Sequence, residues 1–570
     1  MERLRRGNPI LPVVLVLGLW WPSGCADPEG AEETGDDSPG SSLLRVSLPS
    51  PFIRGYARDI KGEVLQYHSP VPMIGTSLLV RSEDRVRSIA WETGPVPRSY
   101  QGQEATFALM VGIDVNAEPR QFDFRINGED VLTFANPLSA ALGDTLFWQG
   151  HQGVRGAFHV TLMDRYGDAM GFLLLTVPRG IWEPGESMRI EVIGESAGER
   201  TWFMVFRDSL EPRIELQNAP AVLRTARGEA QVLRLDLLTL EGGQAFHMDS
   251  PLGTVDTVTT MGHARFTLPV PVVERPEPLI VEYGLGDHRG EFSYTVVPPR
   301  RMEIFLLHHT HLDIGYTHHQ DEVERIQWAS LEEALRLGAA SEQYPEGSRF
   351  VWNPEGIWAV ESYVRAHPGE ETDRLMEGIR KGWIELDGMY AGLLTGLANE
   401  ETLLHAFDAA RELSRRSGVA IESEMLSDVP GFSWGLVEAL ARNGIRYLSI
   451  GPNFGHRIGY VTEALGDRPF WWEAPSGESR VLTWVSGGGY AWFHTGLVYE
   501  RLATQMEVRI FQYLDQLFAG EYHYDLTYLR YNIGSDNGPP DTGLSNAVRS
   551  WNDRFASPVL RISGRTAAFE

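Results

Sequence analysis

Residues 303–320 read EIFLLHHTHLDIGYTHHQ, and this stretch decides how the rest of the chain is read. The apolar run Ile304, Phe305, Leu306 and Leu307 has the length and character of a buried strand. It ends in His308, His309, His311 and Asp313. A glycine, an aromatic, His318 and His319 follow, and then an acidic, helix-like segment begins. Imidazole and carboxylate at H-x-D spacing, where a buried strand emerges, can chelate one divalent metal. A lone histidine is usually a satisfied core or surface residue, but this clustering favours metal binding.

Beyond this stretch, apolar strand-like runs alternate with helical segments. Residues 321–338 carry Val323, Ile326, Leu331, Ala334 and Leu335 near helical spacing. Short strands are expected at 351–352 and 383–386. A helix is expected over NEETLLHAFDAARELSRRSG, ended by Gly418. Strands at 419–426, 445–450 and 525–533, with helices at 431–443 and 541–551, complete the pattern. Repeated βα units predict a mainly parallel sheet or barrel, with its chemistry at the carboxyl ends of the strands. Asp313, Asp428 (in SEMLSDVPGFSWG) and Asp536 (in LRYNIGSDNGPPD) all occupy that position. With His311 and Asp313, Asp428 can complete a three-ligand metal site with open positions for substrate. A further carboxyl nearby can serve as proton donor. Taken singly, Asp428 is a helix N-cap candidate before Pro430, and Asp536 a turn residue. Gly487, Gly488 and Gly489 read as a flexible loop lining the pocket, and Trp471 and Trp472 as packing.

Upstream, residues 44–180 show short β-type runs between turn signals. Alternation is plain in Gln121-Phe122-Asp123-Phe124-Arg125-Ile126, which is followed by the turn pair Asn127-Gly128. A β-sandwich of jelly-roll type is expected, with Trp148 and Tyr166 as core or rim residues that can alternatively stack on sugars. Trp182-Glu183-Pro184-Gly185 marks a boundary, and residues 181–299 predict an immunoglobulin-like sandwich without its cysteine pair. Pro298 and Pro299 read as a stiff linker. The expected class is multidomain: two N-terminal all-β sandwiches, then an α/β barrel-like domain over 300–570.

At the N-terminus, Arg3, Arg5 and Arg6 precede an apolar region at 10–21, too short to span a bilayer. Pro22-Ser23-Gly24-Cys25 then resembles the end of a bacterial lipoprotein signal, with Pro22 where an aliphatic residue is usual. The resemblance makes Cys25, the single cysteine of the chain, the lipidated residue. It implies export to the bacterial cell envelope, anchored at the outer membrane or cell surface. The alternative is an ordinary signal peptide with a chance cysteine. Residues 26–43 are acidic and rich in Gly, Ser and Pro, as a disordered tether would be.

The chain has 570 residues, so length alone suggests roughly three or four domains. Its net charge of -27 argues against a nucleic-acid partner, which needs a basic face. It equally argues against an electrostatic grip on anionic lipid. It fits a soluble, secreted-type enzyme with a neutral substrate.

From about Met302 onward the sequence resembles the N-terminal catalytic domain of the family 38 glycoside hydrolases, the α-mannosidases. HTHLDIGY is similar to the family's HxHxDxGW-type zinc segment. SDVPGFS resembles the nucleophile segment and NIGSDNGPPD the acid/base loop. KGWIELDGMYAGLLTGLANEETL looks like the family's strand and helix with an acidic pair. The resemblance implies a (β/α)7 barrel-like fold and a Zn2+ ion, or another divalent metal, held by His311, Asp313 and Asp428. It implies Asp428 as nucleophile, Asp536 as acid/base, and Tyr316, Asn399 and Glu400 at the substrate. The implied activity is retaining hydrolysis of α-mannosides, and the resemblance alone implies the carbohydrate or glycan substrate. Family members have a fourth zinc ligand, a histidine well beyond the acid/base loop, and later helical and β domains. No histidine lies between Asp536 and Glu570, which implies a C-terminally truncated record or an incomplete site. His309, His318, His319 or His494 are the substitutes the sequence offers. Two alternatives remain. One is another metal-dependent carbohydrate hydrolase, such as a polysaccharide deacetylase, with no need of Asp536. The other is a non-catalytic glycan-binding lipoprotein, with no need of metal.

Overall fold

The computed structural model describes residues 43–570 apart from 73, 116, 165, 251–252, 430, 454–463, 488, 491–501, 521 and 535. The expected signal with Cys25, residues 26–42 of the tether, and His494 lie outside the described residues. The chain forms two compact units, a largely β unit and a mixed α/β unit. The second takes in 219–232, 269–275 and 297–570.

The β unit starts from the alternation visible in the sequence. Gln121–Ile126 buries every second residue. Asn127 and Gly128 then take φ of 52° and 95°, as the mirror-image turn of a tight hairpin requires, and Glu129–Ala135 returns alongside. One antiparallel sheet runs in the order Arg58–Lys61, Ser88–Glu92, Arg189–Gly194, Gln121–Ile126, Glu129–Ala135. The other runs Thr145–Gln149, Arg155–Met163, Ala169–Pro178, Glu104–Ile113, Trp202–Phe206, Thr76–Arg81, Glu63–Gln66. Trp91, Phe122 and Phe124 from the first sheet share one core with Phe107, Phe158 and Phe203 from the second. Trp148 belongs to that core, stacked on Phe134 at 4.1 Å, whereas Tyr166 is exposed.

Pairing continues through the expected boundary at residue 180. Arg189–Gly194 and Trp202–Phe206 are interior strands of these two sheets. Trp182 is buried, its Nε1 donating to Val177 O at 3.0 Å, so the Trp-Glu-Pro-Gly segment is a core anchor. The physical reason is that sheet membership depends on partners far away in sequence, while Pro and Gly mark only turns. Ile53–Arg54 adds to the second sheet beside Glu104–Ile113, and the remaining described strands before residue 297 form two further sheets. One of them recruits Leu44–Ser47 against Arg213–Thr225, and the other is Gly253–Val258, Ala245–Ser250, Glu277–Leu285, His288–Val296.

In the α/β unit, Glu303–His308 pairs in parallel with Leu526–Tyr531 on one side and Val559–Ile562 on the other. A second sheet holds Ser423–Ser427, Tyr447–Gly451 and Arg480–Val485 in parallel, with Pro469–Glu473 antiparallel at its edge. The helix expected at 321–338 is observed as Gln320–Ser341, with Val323, Leu331, Ala334 and Leu335 buried. The long helix expected to end at Gly418 is split into Glu400–His405 and Asp408–Ser417, and Gly418 does end the second in the left-handed conformation. Between the two sheets the expected strands at 351–352 and 383–386 reduce to parallel bridges, His309 with Asn353 and Trp352 with Ile384. Among the described residues no closed barrel is found, so the expected (β/α)7 barrel is not reproduced.

Carboxylates replace the missing ladder. Met425 N donates to Asp387 Oδ1 at 2.8 Å, and Gly388 N and Met389 N donate to Glu424 Oε2 at 2.9 and 2.6 Å. Asp387 and Glu424 are both buried, with the buried Arg565 guanidinium 3.9 Å from Asp387. Burial, and then the charge of Asp387, hold the Glu424 carboxyl well above its ordinary pKa. A carboxyl raised in the folded state stabilises at low pH and withdraws that stability as pH rises above its unfolded pKa. Wild-type unfolding free energy, measured by denaturant titration at a series of pH values, should therefore fall as pH rises above the ordinary carboxyl range, by up to ~1.4 kcal/mol per pH unit. Glu424→Gln, which carries the same shape without the proton, should flatten that slope.

Candidate functional site

Parallel neighbours end their strands on the same side, so the loops after Glu303–His308, Ser423–Ser427 and Leu526–Tyr531 open at the carboxyl ends of the sheets. In the first loop His308 is structural. Its Nδ1 donates to Tyr531 O at 3.0 Å and its Nε2 accepts from Asp541 N at 2.7 Å. Burial pushes its imidazole down to about 4, which keeps it neutral. His309 is wholly buried.

His311 Nδ1 donates to Glu355 Oε2 at 3.0 Å. Its Nε2 is buried without a hydrogen-bond partner, 3.4 Å from Asp313 Oδ1 and 3.8 Å from Asp428 Oδ2. One ligand atom from each of His311, Asp313 and Asp428 lies within 4.8 Å of the others. Burial alone would lower the His311 pKa, but Glu355, Asp313 and Asp428 together hold it well above the usual imidazole value. An unpartnered imidazole nitrogen facing two carboxylates is what a divalent cation would complete, so this donor set fits one.

Asp428 is placed by a strained backbone. Its φ is +60°, a left-handed conformation uncommon outside glycine and tolerated best by Asn and Asp. Its N–H donates to Gly451 O at 2.9 Å, and its Oδ1 accepts from Asn453 Nδ2. The following helix starts only at Gly435 and is capped at Trp434, so Asp428 is not its N-cap.

Asp536 is tied to the same centre through its neighbour. Asn537 N donates to His311 O at 2.8 Å, and Asn537 Nδ2 donates to Asp313 O at 2.9 Å. Gln327 Nε2 in turn donates to Asn537 Oδ1 at 2.9 Å. Asp536 Oδ1 is buried without a partner. Burial raises its carboxyl, His311 opposes that, and Asp313, Asp428 and Glu355 add to it, so the net result is about 6.

The other expected site residues are not brought in. Tyr316 is 82% exposed. Asn399 caps the Glu400–His405 helix, accepting from Thr402 N at 2.8 Å. Glu400 is exposed, 3.8 Å from Arg442. Among the substitutes for a fourth ligand, His318 and His319 are exposed. His309 is not part of the cluster, and the cluster holds only His311, Asp313 and Asp428 among the described residues.

Two residues enter that the sequence did not single out. Glu355 follows the short segment at 351–352, so the criterion that found Asp313, Asp428 and Asp536 applies to it equally. Tyr490 stacks at a tilt over His311, ring centroids 4.6 Å apart, and follows the glycines read as a pocket-lining loop. Burial and then the field of Asp536, Asp428, Asp313 and Glu355 push its phenol upward. Its backbone fits because Gly451 has no side chain: a Cβ there would lie 2.8 Å from Tyr490 Cα.

A cavity of about 340 Å³ is lined by His311, Asp313, Ile314, Glu355, Leu394 and Asp428. A larger one of about 730 Å³ lies at the opposite ends of the strands, among Glu303, Val351, Ile384, Ile421 and Arg561, away from these groups.

No curated protein sequence matches the chain. Among solved structures it is similar to an alpha-mannosidase from Enterococcus faecalis V583, at 13% identity and a TM-score of 0.38, over 47% of this chain and 29% of that one. It is similar to a glycosyl hydrolase family 38 protein from Enterococcus faecalis at 13% and 0.33, over 47% and 27%. It is also similar to a 4-alpha-glucanotransferase from Thermococcus litoralis at 14% and 0.32, over 47% and 40%. The chain thus spans under a third of the length of the two Enterococcus proteins. Residues 301–567 match the model of the glycosyl hydrolases family 38 N-terminal domain, so this part of the chain is similar to that glycoside hydrolase family.

Proposed function

We propose that the chain is an exported, zinc-dependent retaining glycosidase that cleaves α-mannosides. The observation that carries this is the convergence of His311 Nε2, Asp313 and Asp428 within 4.8 Å, with Asp536 fastened to the same loop by Asn537. Bound by those three residues, zinc supplies a template and Lewis acid for adjacent sugar hydroxyls. The chain's own groups do the rest. Asp428, oriented by Asn453, attacks the anomeric carbon. Asp536 differs from an ordinary carboxyl in being pushed up to about 6, which leaves it able to donate a proton to the leaving oxygen. It then takes a proton from the water that releases the sugar. Tyr490 over His311 keeps solvent from the ligand ring. Export is supported by the sequence alone: Arg3, Arg5 and Arg6, the apolar region at 10–21, and the single Cys25.

Three outcomes follow. One divalent metal per chain, measured by elemental analysis of the purified protein, should be lost in Asp313→Ala, and chelation should abolish turnover reversibly. Asp536→Asn should lower kcat/KM on mannosides of unactivated alcohols by about 10²–10⁴-fold and by much less on a nitrophenyl leaving group. A deacetylase would be little affected by that change. Cys25→Ser should move the protein from the membrane to the soluble fraction in a bacterial host, read by fractionation, and unchanged membrane attachment would remove the lipid anchor.

A further inference from the structure

Glu355 is a buried carboxylate, 5% exposed, with three donors and a place between two loops. Its Oε2 accepts from His311 Nδ1 at 3.0 Å and from Leu312 N at 3.3 Å. Its Oε1 accepts from Ser427 N at 2.9 Å. Leu312 immediately precedes Asp313, and Ser427 immediately precedes Asp428. One side chain therefore holds the backbone next to both carboxylates of the cluster and the ring of its histidine.

The segment that carries Glu355 is fixed on both sides. Asn353 N and Nδ2 both donate to His308 O, at 3.0 and 3.1 Å, and Nδ2 also donates to Ser563 O at 3.1 Å. Gly356 N donates to Asp387 Oδ2 at 2.8 Å. Gly356 itself sits at φ +70°, where a Cβ would meet Tyr390 O at 2.9 Å, so the chain cannot pivot there around a larger residue. The carboxylate is thus delivered to a fixed point, and the loops are fitted to it.

We propose that Glu355 is a positioning residue that selects the Nδ1–H tautomer of His311 and sets the spacing of Asp313 and Asp428 around its free nitrogen. The inference rests on the metal site of the preceding subsection. An imidazole that donates from Nδ1 presents a lone pair at Nε2, and that is the buried, unpartnered nitrogen facing Asp313 and Asp428. A carboxylate needed only to satisfy backbone would be served by Leu312 N and Ser427 N. The third donor is the ring, and its acceptance ties ligand orientation to loop spacing. Carboxylate partners of this kind raise metal affinity through the ligand they orient.

The test uses the full chain as wild type, His311→Ala and Glu355→Gln, each titrated with Zn2+ against a chromogenic chelator and with Co2+ by visible absorption. Gln keeps the shape of Glu355 but offers one acceptor oxygen in place of two. Wild type should bind one Zn2+ and His311→Ala none. Glu355→Gln should bind about 10–100-fold more weakly, with an altered Co2+ spectrum. Equal Zn2+ affinity and an identical Co2+ spectrum in wild type and Glu355→Gln would overturn the positioning role and leave the metal site standing. Failure of wild type to bind either ion would overturn the metal site itself, and the positioning role with it. A second measurement needs no variant: the ¹⁵N spectrum of histidine-labelled, Zn2+-loaded wild type should show His311 protonated at Nδ1. Protonation at Nε2 would overturn the proposal even where Glu355→Gln does not fold.

Discussion

The α/β unit depends on side-chain carboxylates that accept from backbone N–H groups where a sheet ladder is missing. Trp352 N bonds to Trp383 O, and Glu385 N to Trp352 O, but from there the pairing does not continue to Ser423–Ser427. The orphan donors on that strand go to acids instead: Met425 N to Asp387 and Ser427 N to Glu355. Buried backbone N–H groups left unpaired cost about 1–3 kcal/mol each, so something must accept. A carboxylate does so from a distance that a backbone carbonyl would not bridge. The consequence is a set of charges in the interior, and the answers to them differ. The Glu424 pKa is raised, Asp387 has Arg565, and Glu355 has backbone donors, the ring of His311 and the charge of Arg530.

This also separates what the sequence discloses from what it conceals. The strand Glu303–His308, its emergence at His311 and Asp313, and the positions of Asp428 and Asp536 after later strands are local features, and local patterns find them. The hairpin at Asn127-Gly128 and the helix stop at Gly418 are legible for the same reason: each needs a left-handed residue, and few residues supply one. Sheet membership is not local. Nothing in Arg189–Gly194 says that it inserts between Ser88–Glu92 and Gln121–Ile126, so Pro and Gly punctuation at 182–185 overstates a boundary. The shortened strands at 351–352 and 383–386 hid Glu355 and Asp387 for a related reason, since residues that pair by side chain leave little β-type run to recognise. Asn399 shows the reverse error. Its place in a family-like acidic pair suggested substrate contact, while its side chain has the simpler work of capping Glu400–His405.

Strain and crowding meet at Asp428. A positive φ at a non-glycine residue costs on the order of 1–3 kcal/mol and persists where the surroundings over-determine it. Here the Asp428 N–H is held by Gly451 O, Oδ1 by Asn453, and the preceding peptide by Glu355. Gly451 serves twice, as the acceptor for Asp428 and as the bare surface on which the Tyr490 backbone rests. One strand end thereby fixes both a carboxylate and the aromatic that covers the histidine.

The electrostatics of this arrangement are incomplete without a cation. Asp313, Asp428, Asp536 and Glu355 all act on one another's surroundings, as the upward push on both Asp536 and Tyr490 records. The His311 ring, committed through Nδ1 to Glu355, answers them in part, and the buried Arg530 guanidinium acts on Glu355. Like charges gathered in a partly desolvated site must be relieved by proton uptake or by a bound positive charge. Proton uptake is consistent with Asp536, whose Oδ1 is buried without a partner. Asp313 and Asp428 turn toward His311 Nε2, 3.4 and 3.8 Å away, and help to hold its imidazole pKa up. A divalent ion held by His311, Asp313 and Asp428 would relieve that repulsion and lower the charge felt by Asp536. On the proposed reading, the same cluster would hold sugar oxygens, with the raised Asp536 carboxyl beside it as proton donor.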